Sequence, residues 1–306
     1  MTIFWALMLC ASNGHGGPAV LSSTNPTNTT NTTNPSSFTP CPSTVAPGMA
    51  CVPGGDFVVG TNDIHVCKQE ENVQRRTTFG PPFSVTLSTF LIDENEVTMA
   101  AYAACVAAKK CVPDGPRYRD FRRPQQPVTA TTWFHARDYC RAQGKRLPTE
   151  AEWEKAAHDS TTPACPAVVL MSDQGRSCGA TMKGDHPEKG RVLEVKGTAP
   201  NALGLYEMRG NAEEWVQDWF NPDRRAGGAL GPCPGAETCK HFPLKMVKGG
   251  SWYWPADHAQ SWHRRPWNPS NKPPHHFGFR CATDVPAVPA VPAVPAVPAL
   301  RQVPGP

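Results

Sequence analysis

The sequence predicts an α+β domain with little regular secondary structure, and three observations carry that expectation. Three short segments carry capped helical patterns. Two others read as turn-and-strand. A long stretch, from about Thr161 to Pro274, is rich in Gly, Pro, Trp and Asn and keeps no steady period. Thr98 to Lys110 reads as a helix with Thr98 as its cap and an Ala-rich interior. Thr132 to Gln143 reads as a second, stopped by Gly144. Thr149-Glu-Ala-Glu152 fits a capping box, in which the threonine hydroxyl and the glutamate carboxylate each accept from the other residue's amide. That third helix ends near His158. Val52 to Gly60 is a turn followed by a short β-prone run, and Phe83 to Ile92 alternates apolar and polar residues as a strand does. A small, twisted, mostly antiparallel sheet with long structured loops follows.

The chain organises into four parts. Residues 1–10 hold the apolar run Ile3 to Leu9 ending at Cys10, which reads as a secretory signal or as a lipoprotein signal with Cys10 lipidated. Residues 11–40 are mostly Asn, Thr, Ser, Pro and Gly, too poor in apolar residues to build a core, and read as a disordered spacer. Residues 41–284 form the domain. Residues 285–306 carry tandem Val-Pro-Ala triplets, where proline at every third position favours an extended polyproline II tail. The apolar run at the start is far shorter than the ~20 residues of a membrane span.

Net charge is +4, from 30 basic and 26 acidic residues, and no Lys/Arg block stands out, so a nucleic-acid footprint is not expected. The only membrane attachment expected is lipidation at Cys10. The 12 cysteines form no C-x-x-C pair. Close spacings suggest local bridges between Cys105 and Cys111, Cys165 and Cys178, and Cys233 and Cys239, and with them an oxidising compartment. The chain is therefore expected to be exported: periplasmic, outer-membrane lipoprotein or extracellular.

Five segments occur in a fixed order. They are Val52-Pro-Gly-Gly-Asp-Phe57; Phe90-Leu-Ile-Asp-Glu-Asn-Glu-Val-Thr98; Gly144-Lys-Arg-Leu-Pro-Thr-Glu-Ala-Glu-Trp-Glu154; Gly204-Leu-Tyr-Glu-Met-Arg-Gly-Asn-Ala-Glu-Glu-Trp215; and Lys248-Gly-Gly-Ser-Trp252 followed by Phe277-Gly-Phe-Arg-Cys281. This ordered set resembles the formylglycine-generating enzyme (sulfatase-modifying factor) family. The resemblance implies a C-type-lectin-like α+β fold. Each motif also has a structural reading: Arg146, Glu152 and Trp153 as cap and core anchor, Trp215 and Trp219 as core rings, Gly249 and Gly250 as a close backbone approach, and Arg280 as a buried, hydrogen-bonded arginine.

The family's enzymes oxidise a cysteine of a client sulfatase with oxygen and copper(I), held by two cysteines shortly after Gly-Gly-Ser. Soft thiolates suit Cu(I). The matching positions here are Trp254 and Ala259, so copper is not expected and no catalytic residue is assigned. The same loop holds His258 and His263, an alternative metal pair. The family's calcium site maps onto Glu207, Gly210, Ala212 and Glu214, an all-oxygen set that suits Ca²⁺. The resemblance also implies a bridge between Cys140 and Cys281, whereas Cys41, Cys51 and Cys67 leave an odd, unassigned thiol. Three functions compete. One is a calcium-stabilised exported module that binds a peptide, protein or glycan in a groove near Ser251, Trp252, Tyr253 and Trp262. The second is a metal-dependent oxidoreductase of altered chemistry, using His258 and His263. The third is the formylglycine-generating oxidase, which Trp254 and Ala259 oppose.

Overall fold

A computed structural model describes residues 38–60, 82–158, 192–220, 244–252, 259–271 and 275–285. Three helices stand beside three small sheets. Strands β1 (Met49–Val52), β4 (Phe90–Asp93) and β9 (Ala282–Asp284) form an antiparallel sheet in the order β1-β4-β9. Strands β2 (Gly55–Val59) and β3 (Phe83–Leu87) form an antiparallel pair. The third sheet runs in the order β7 (Arg265–Trp267), β6 (Lys245–Lys248), β5 (Glu213–Trp219), β8 (Phe277–Gly278). In it only β5 and β8 are parallel.

The helices begin where the sequence places them. Helix α1 (Met99–Ala107) is capped by Thr98, whose hydroxyl accepts from the Ala101 amide. Helix α2 (Trp133–Ala142) is capped by Thr132, and Gly144 follows its end with φ +70°. Helix α3 (Glu150–Ala157) has the full capping box between Thr149 and Glu152 and ends at His158. The Glu152 carboxylate also takes a two-pronged bond from Arg146, 2.7 Å at each oxygen. Two sequence expectations need correction. Phe83 to Ile92 is two strands, not one. The chain breaks at Thr89, whose hydroxyl accepts from the Gly54 amide and donates to the Thr39 carbonyl, so β3 joins β2 while β4 joins β1 and β9. The region expected to be irregular contains β5, β6 and β7. Nearly every residue of β5 and β6 is buried, so neither strand shows the alternation that marks one with a solvated face.

Side chains from α2 and α3 lock onto β5. The Trp133 indole donates to the Val216 carbonyl (2.8 Å), and the Trp215 indole returns a bond to the Thr131 carbonyl (3.0 Å). On α3, the Glu150 amide donates to Asp218 (2.6 Å) and the Trp153 indole to Glu214 (2.7 Å). Buried ion pairs join α3 to the same sheet: Lys248 to Glu154 at 2.9 Å, and Arg264 to Glu150 at 2.5 Å. Trp153, Trp215, Phe277 and Phe279 are fully covered.

The bridges Cys140–Cys281 and Cys105–Cys111 form as expected. The first spans 141 residues and contributes ~4–5 kcal/mol on a chain-entropy account. Cys41 pairs with Cys51, a bridge the sequence left open. Cys10, Cys67, Cys165, Cys178, Cys233 and Cys239 lie outside the described residues.

Gly249 has a double requirement. Its φ is +90°, and a Cβ there would lie 2.9 Å from the Trp153 ring and 3.2 Å from the Met208 carbonyl oxygen. Gly249→Ala is therefore expected to lower stability by ~2–4 kcal/mol, combining the left-handed backbone cost with overpacking. Urea denaturation measures it, and a loss below ~0.5 kcal/mol would mean that the ring and turn relax freely.

Candidate functional site

The turn from Glu207 to Ala212 is shaped by left-handed backbone at Glu207 (φ 49°), Gly210 (φ 113°) and Asn211 (φ 58°). The Gly210 amide donates to the Gly249 carbonyl (2.7 Å), and the Trp252 amide donates to the Asn211 carbonyl (2.9 Å). The turn is thus stitched to the Gly-Gly-Ser-Trp segment.

Beneath it lies a buried charge cluster. Both oxygens of Glu214 accept from the Arg280 guanidinium at 2.8–3.0 Å, and one also accepts from Trp153. Arg280 spends its remaining hydrogens on the carbonyls of Asp93, Glu94 and Tyr206. The Glu207 carboxylate accepts from the amides of Lys196 (3.0 Å) and Thr198 (3.2 Å) and from the Thr198 hydroxyl (3.1 Å). The third carboxylate is one the sequence reading missed. Glu96 is completely buried; its Oε1 accepts from Asn211 at 3.0 Å, while its Oε2 has no hydrogen-bond partner among the described residues. The signal was available, since an acidic residue immediately before the apolar Val97 and the Thr98 cap is an odd choice for an interior position. Burial first, then repulsion from Glu207, holds the Glu96 carboxyl well above the usual carboxylate range; Arg280 opposes this and Glu214 adds to it. Burial likewise raises Glu207, against the bonds from Lys196 and Thr198 and the field of Arg280.

Three carboxylates therefore face one guanidinium. Among the described residues no three His, Cys, Asp or Glu side chains converge into a ready metal-ligand set. The expected calcium ligands are placed unevenly. Glu207 and Glu214 already hold hydrogen bonds, and Gly210 and Ala212 offer only backbone oxygens. The unpartnered buried oxygen of Glu96 does fit a hard cation.

The groove expectation needs correction. Ser251 and Trp252 are buried, Trp252 to 1% exposure, so they belong to the packed interior and not to a contact surface. The Trp252 indole donates to the His275 carbonyl (3.2 Å), and its ring packs on Phe121 and His275, each 5.4 Å away between centroids. Trp262 is half-buried. Ala259 is fully buried, and its carbonyl accepts from Arg209 Nε at 3.1 Å. His263 is buried, its amide bonded to the Gln260 carbonyl. Tyr253, Trp254 and His258 lie outside the described residues, so the pairing of His258 with His263 cannot be drawn. Nearby, burial, then Arg265 and His275, hold His276 well below the usual histidine value, so it is neutral at pH 7.

This fold, with its stitched turn and buried charge cluster, matches a known class of domain. The Sulfatase-modifying factor enzyme 1-like domain matches residues 35–285, and the chain belongs to that family. Its α+β architecture is the C-type-lectin-like fold of formylglycine-generating enzymes. The formylglycine-generating enzyme of Thermomonospora curvata is 28% identical over 79% of this chain and 95% of its own length. A serine/threonine-protein kinase, pkn1, of Chlamydia pneumoniae is 28% identical over 80% of this chain but only 39% of its own. The structure of PvdO from Pseudomonas aeruginosa superposes with a TM-score of 0.57 at 26% identity, covering 78% of this chain and 94% of that one.

Arg280→Leu is expected to cost ~3–5 kcal/mol, because it strands buried carboxylates without their counter-charge. Denaturation at pH 7 measures this. A loss under ~1 kcal/mol would show that the cluster discharges itself by taking up protons.

Proposed function

We propose that this chain is a non-oxidase member of its family: an exported, calcium-stabilised module that binds a peptide or glycan. One observation carries the reading. Trp254 and Ala259 stand where the family's copper-binding thiolates belong, and Ala259 is packed into the interior with its carbonyl tied to Arg209. An indole and a methyl group offer Cu(I) no soft ligand. The disulfide-rich core favours an oxidising compartment. No specific observation favours the alternative, a redox metal on His258 and His263.

Calcium would be held by Glu96 and Glu207 together with the backbone oxygens of Gly210 and Ala212, while Glu214, whose two oxygens are bonded to Arg280, would add its charge and not a ligand. Bound there, it supplies charge compensation and stiffens the turn over the cluster. Three carboxylates against one guanidinium leave an excess of negative charge that either a divalent cation or protons must offset. Without calcium, the raised Glu96 carboxyl gives stability at low pH that is lost as pH rises through its folded-state value. With calcium the ionised form is the useful one, so affinity is expected to fall as pH drops through that same value. Chelation at neutral pH is expected to lower the melting temperature by about 5–10 °C relative to calcium at ~100 times its Kd. Glu96→Gln should abolish that difference. Thermal scans with and without chelator, alongside elemental analysis, decide it. A melting temperature indifferent to calcium in the wild-type protein would remove calcium from the proposal.

The oxidase reading is tested with an oxygen electrode. Copper(I)-loaded protein and a cysteine-containing peptide are expected to consume oxygen no faster than the protein-free control. Turnover above that control, or stoichiometric copper or iron lost on His263→Ala, would sink the binding-module reading.

A further inference from the structure

Two ionisable side chains on neighbouring strands are buried deep in the third sheet. Asp218 on β5 is 2% exposed and Lys245 on β6 is 3% exposed. Between Trp215 and Trp219, β5 advances four residues while β6 advances two, from Val247 to Lys245. The surplus is a bulge, which bends a strand and re-aims its side chains. Here it brings the Gln217 carbonyl to Lys245, whose ammonium donates to it at 2.7 Å, while the Gln217 amide donates to the Pro148 carbonyl at 2.8 Å.

Each group holds a different neighbour. The Lys245 ammonium lies 3.8 Å from the ring centre of Trp133, on α2, and 3.9 Å from that of Trp219, at the end of β5. The two indoles are 6.4 Å apart and 28° from parallel. Their faces attract the ammonium, whereas a neutral amine has no charge to offer them. On the other side, Asp218 Oδ2 accepts from the amide of Glu150, the first residue of α3, at 2.6 Å. Ionisation strengthens that bond and complements the positive end of the helix. It also leaves Oδ1, which has no hydrogen-bond partner among the described residues, as a bare buried charge. Burial thus opposes the charged form of each group, and one contact favours it.

The charges around the pair leave this balance close to even. Asp218 faces Glu150 and Glu152 of α3, which oppose its ionisation, and Lys245 of β6, which favours it. Lys245 faces Asp218, which favours its charge, and Arg137 of α2, which opposes it. Glu150 is itself held by Arg264, and Glu152 by Arg146. From β7, the residue paired with Lys245 is the uncharged Trp267, and Arg265 is paired with Glu213. Burial first, and then these fields, bring Asp218 up to about 7 and Lys245 down to about 7. As pH rises through that value one proton leaves each group, so a cation beside a neutral acid becomes an anion beside a neutral amine.

We propose that Asp218 and Lys245 form a pH-operated latch where α2, α3, β5 and β6 meet. Below neutrality it holds α2, through the Lys245 ammonium against the two indoles; above neutrality it holds α3, through the Asp218 carboxylate on the first helical amide. The latch goes beyond the binding-module reading and does not depend on it. Asp218, raised in the folded state, gives stability that is present at low pH and lost as pH rises through about 7. Lys245, lowered in the folded state, gives stability that is present at high pH and lost as pH falls through about 7. Together they add a stability minimum near neutrality.

The test is NMR on the full chain with carbon-13 in its aspartates and lysines, and Asp218→Asn and Lys245→Met assign the two signals. Lys245 Cε and Asp218 Cγ are both expected to titrate near pH 7. Asp218→Asn should move the Lys245 midpoint down, and Lys245→Met the Asp218 midpoint up, each by ~0.5 unit or more, because each variant removes an opposite charge. Hydrogen exchange on the wild-type protein, corrected for its intrinsic pH dependence, supplies the second measurement and decides alone should a variant fail to fold. Between about pH 5.5 and 8.5 the Glu150 amide is expected to gain roughly 5-fold in protection while the Trp133 indole N–H loses a similar factor. Midpoints at the ordinary lysine and carboxylate values, midpoints indifferent to removal of the partner, or protections at Glu150 and Trp133 that stay constant or move together would overturn the latch.

Discussion

The buried pair of Glu214 and Arg280 organises the domain. Arg280 belongs to the Phe-Gly-Phe-Arg-Cys segment at the C-terminal edge, and Glu214 to β5. Their contact also takes in the Trp153 indole from α3 and the carbonyls of Asp93, Glu94 and Tyr206. Four of the ordered sequence segments therefore meet at one ion pair, three on the Arg280 guanidinium and the fourth through Trp153 on Glu214. Such a pair adds little net stability over an apolar substitute of the same shape, because both ions are stripped of water. Its contribution is to specify. Only one arrangement of α3, β5 and the Asp93–Glu94 corner satisfies every donor on Arg280, and the alternatives leave a buried charge unpaired. The neighbouring Cys140–Cys281 bridge reinforces the same junction from the adjacent residue.

What the sequence disclosed follows from which signals are local. The helix starts were legible because a capping threonine acts within three residues, and Thr98, Thr132 and Thr149 all do so. The two longest-hidden elements, β5 and β6, were not. Strand β6 has a lysine at each end, a pattern that suggests a solvated surface, yet both lysines are buried. Lys248 pairs with Glu154, and the Lys245 ammonium lies 3.8 and 3.9 Å from the ring centres of Trp133 and Trp219. Burial lowers the Lys245 pKa to about 7, and the two indole faces favour its charged form from positions distant in sequence, which no local pattern announces.

For the site, residue types were legible and their roles were not. Glu214, expected as a calcium ligand, has both oxygens bonded to Arg280. Trp252 was assigned to a groove and is packed in the interior with Phe121, Val192 and Ala212. Glu96 was assigned nothing, although among the described residues it is the carboxylate of this cluster with an unpartnered oxygen. In each case the deciding quantity is what else occupies the coordination sphere. That is a property of the packed interior, to which segments distant in sequence contribute.

The same distinction bears on how a family scaffold can keep its form while its chemistry changes. The groups that hold the domain together, Glu214 with Arg280, Glu152 with Arg146, and Gly249 against Trp153, are satisfied internally and do not require the loop after Ser251 to carry any particular side chain. A thiolate pair in that loop would serve only a metal. In the proposed reading, tryptophan and alanine at positions 254 and 259 offer no soft ligand for copper, and the buried Ala259 methyl leaves no polar group of its own unpaired. Ala259 illustrates this. Its side chain asks for no partner, while its carbonyl still bonds Arg209 and so keeps the loop attached to the turn that carries Gly210 and Asn211. That attachment is made to backbone and asks nothing of the side chain at 259, whereas the charge cluster constrains the fold through its side chains.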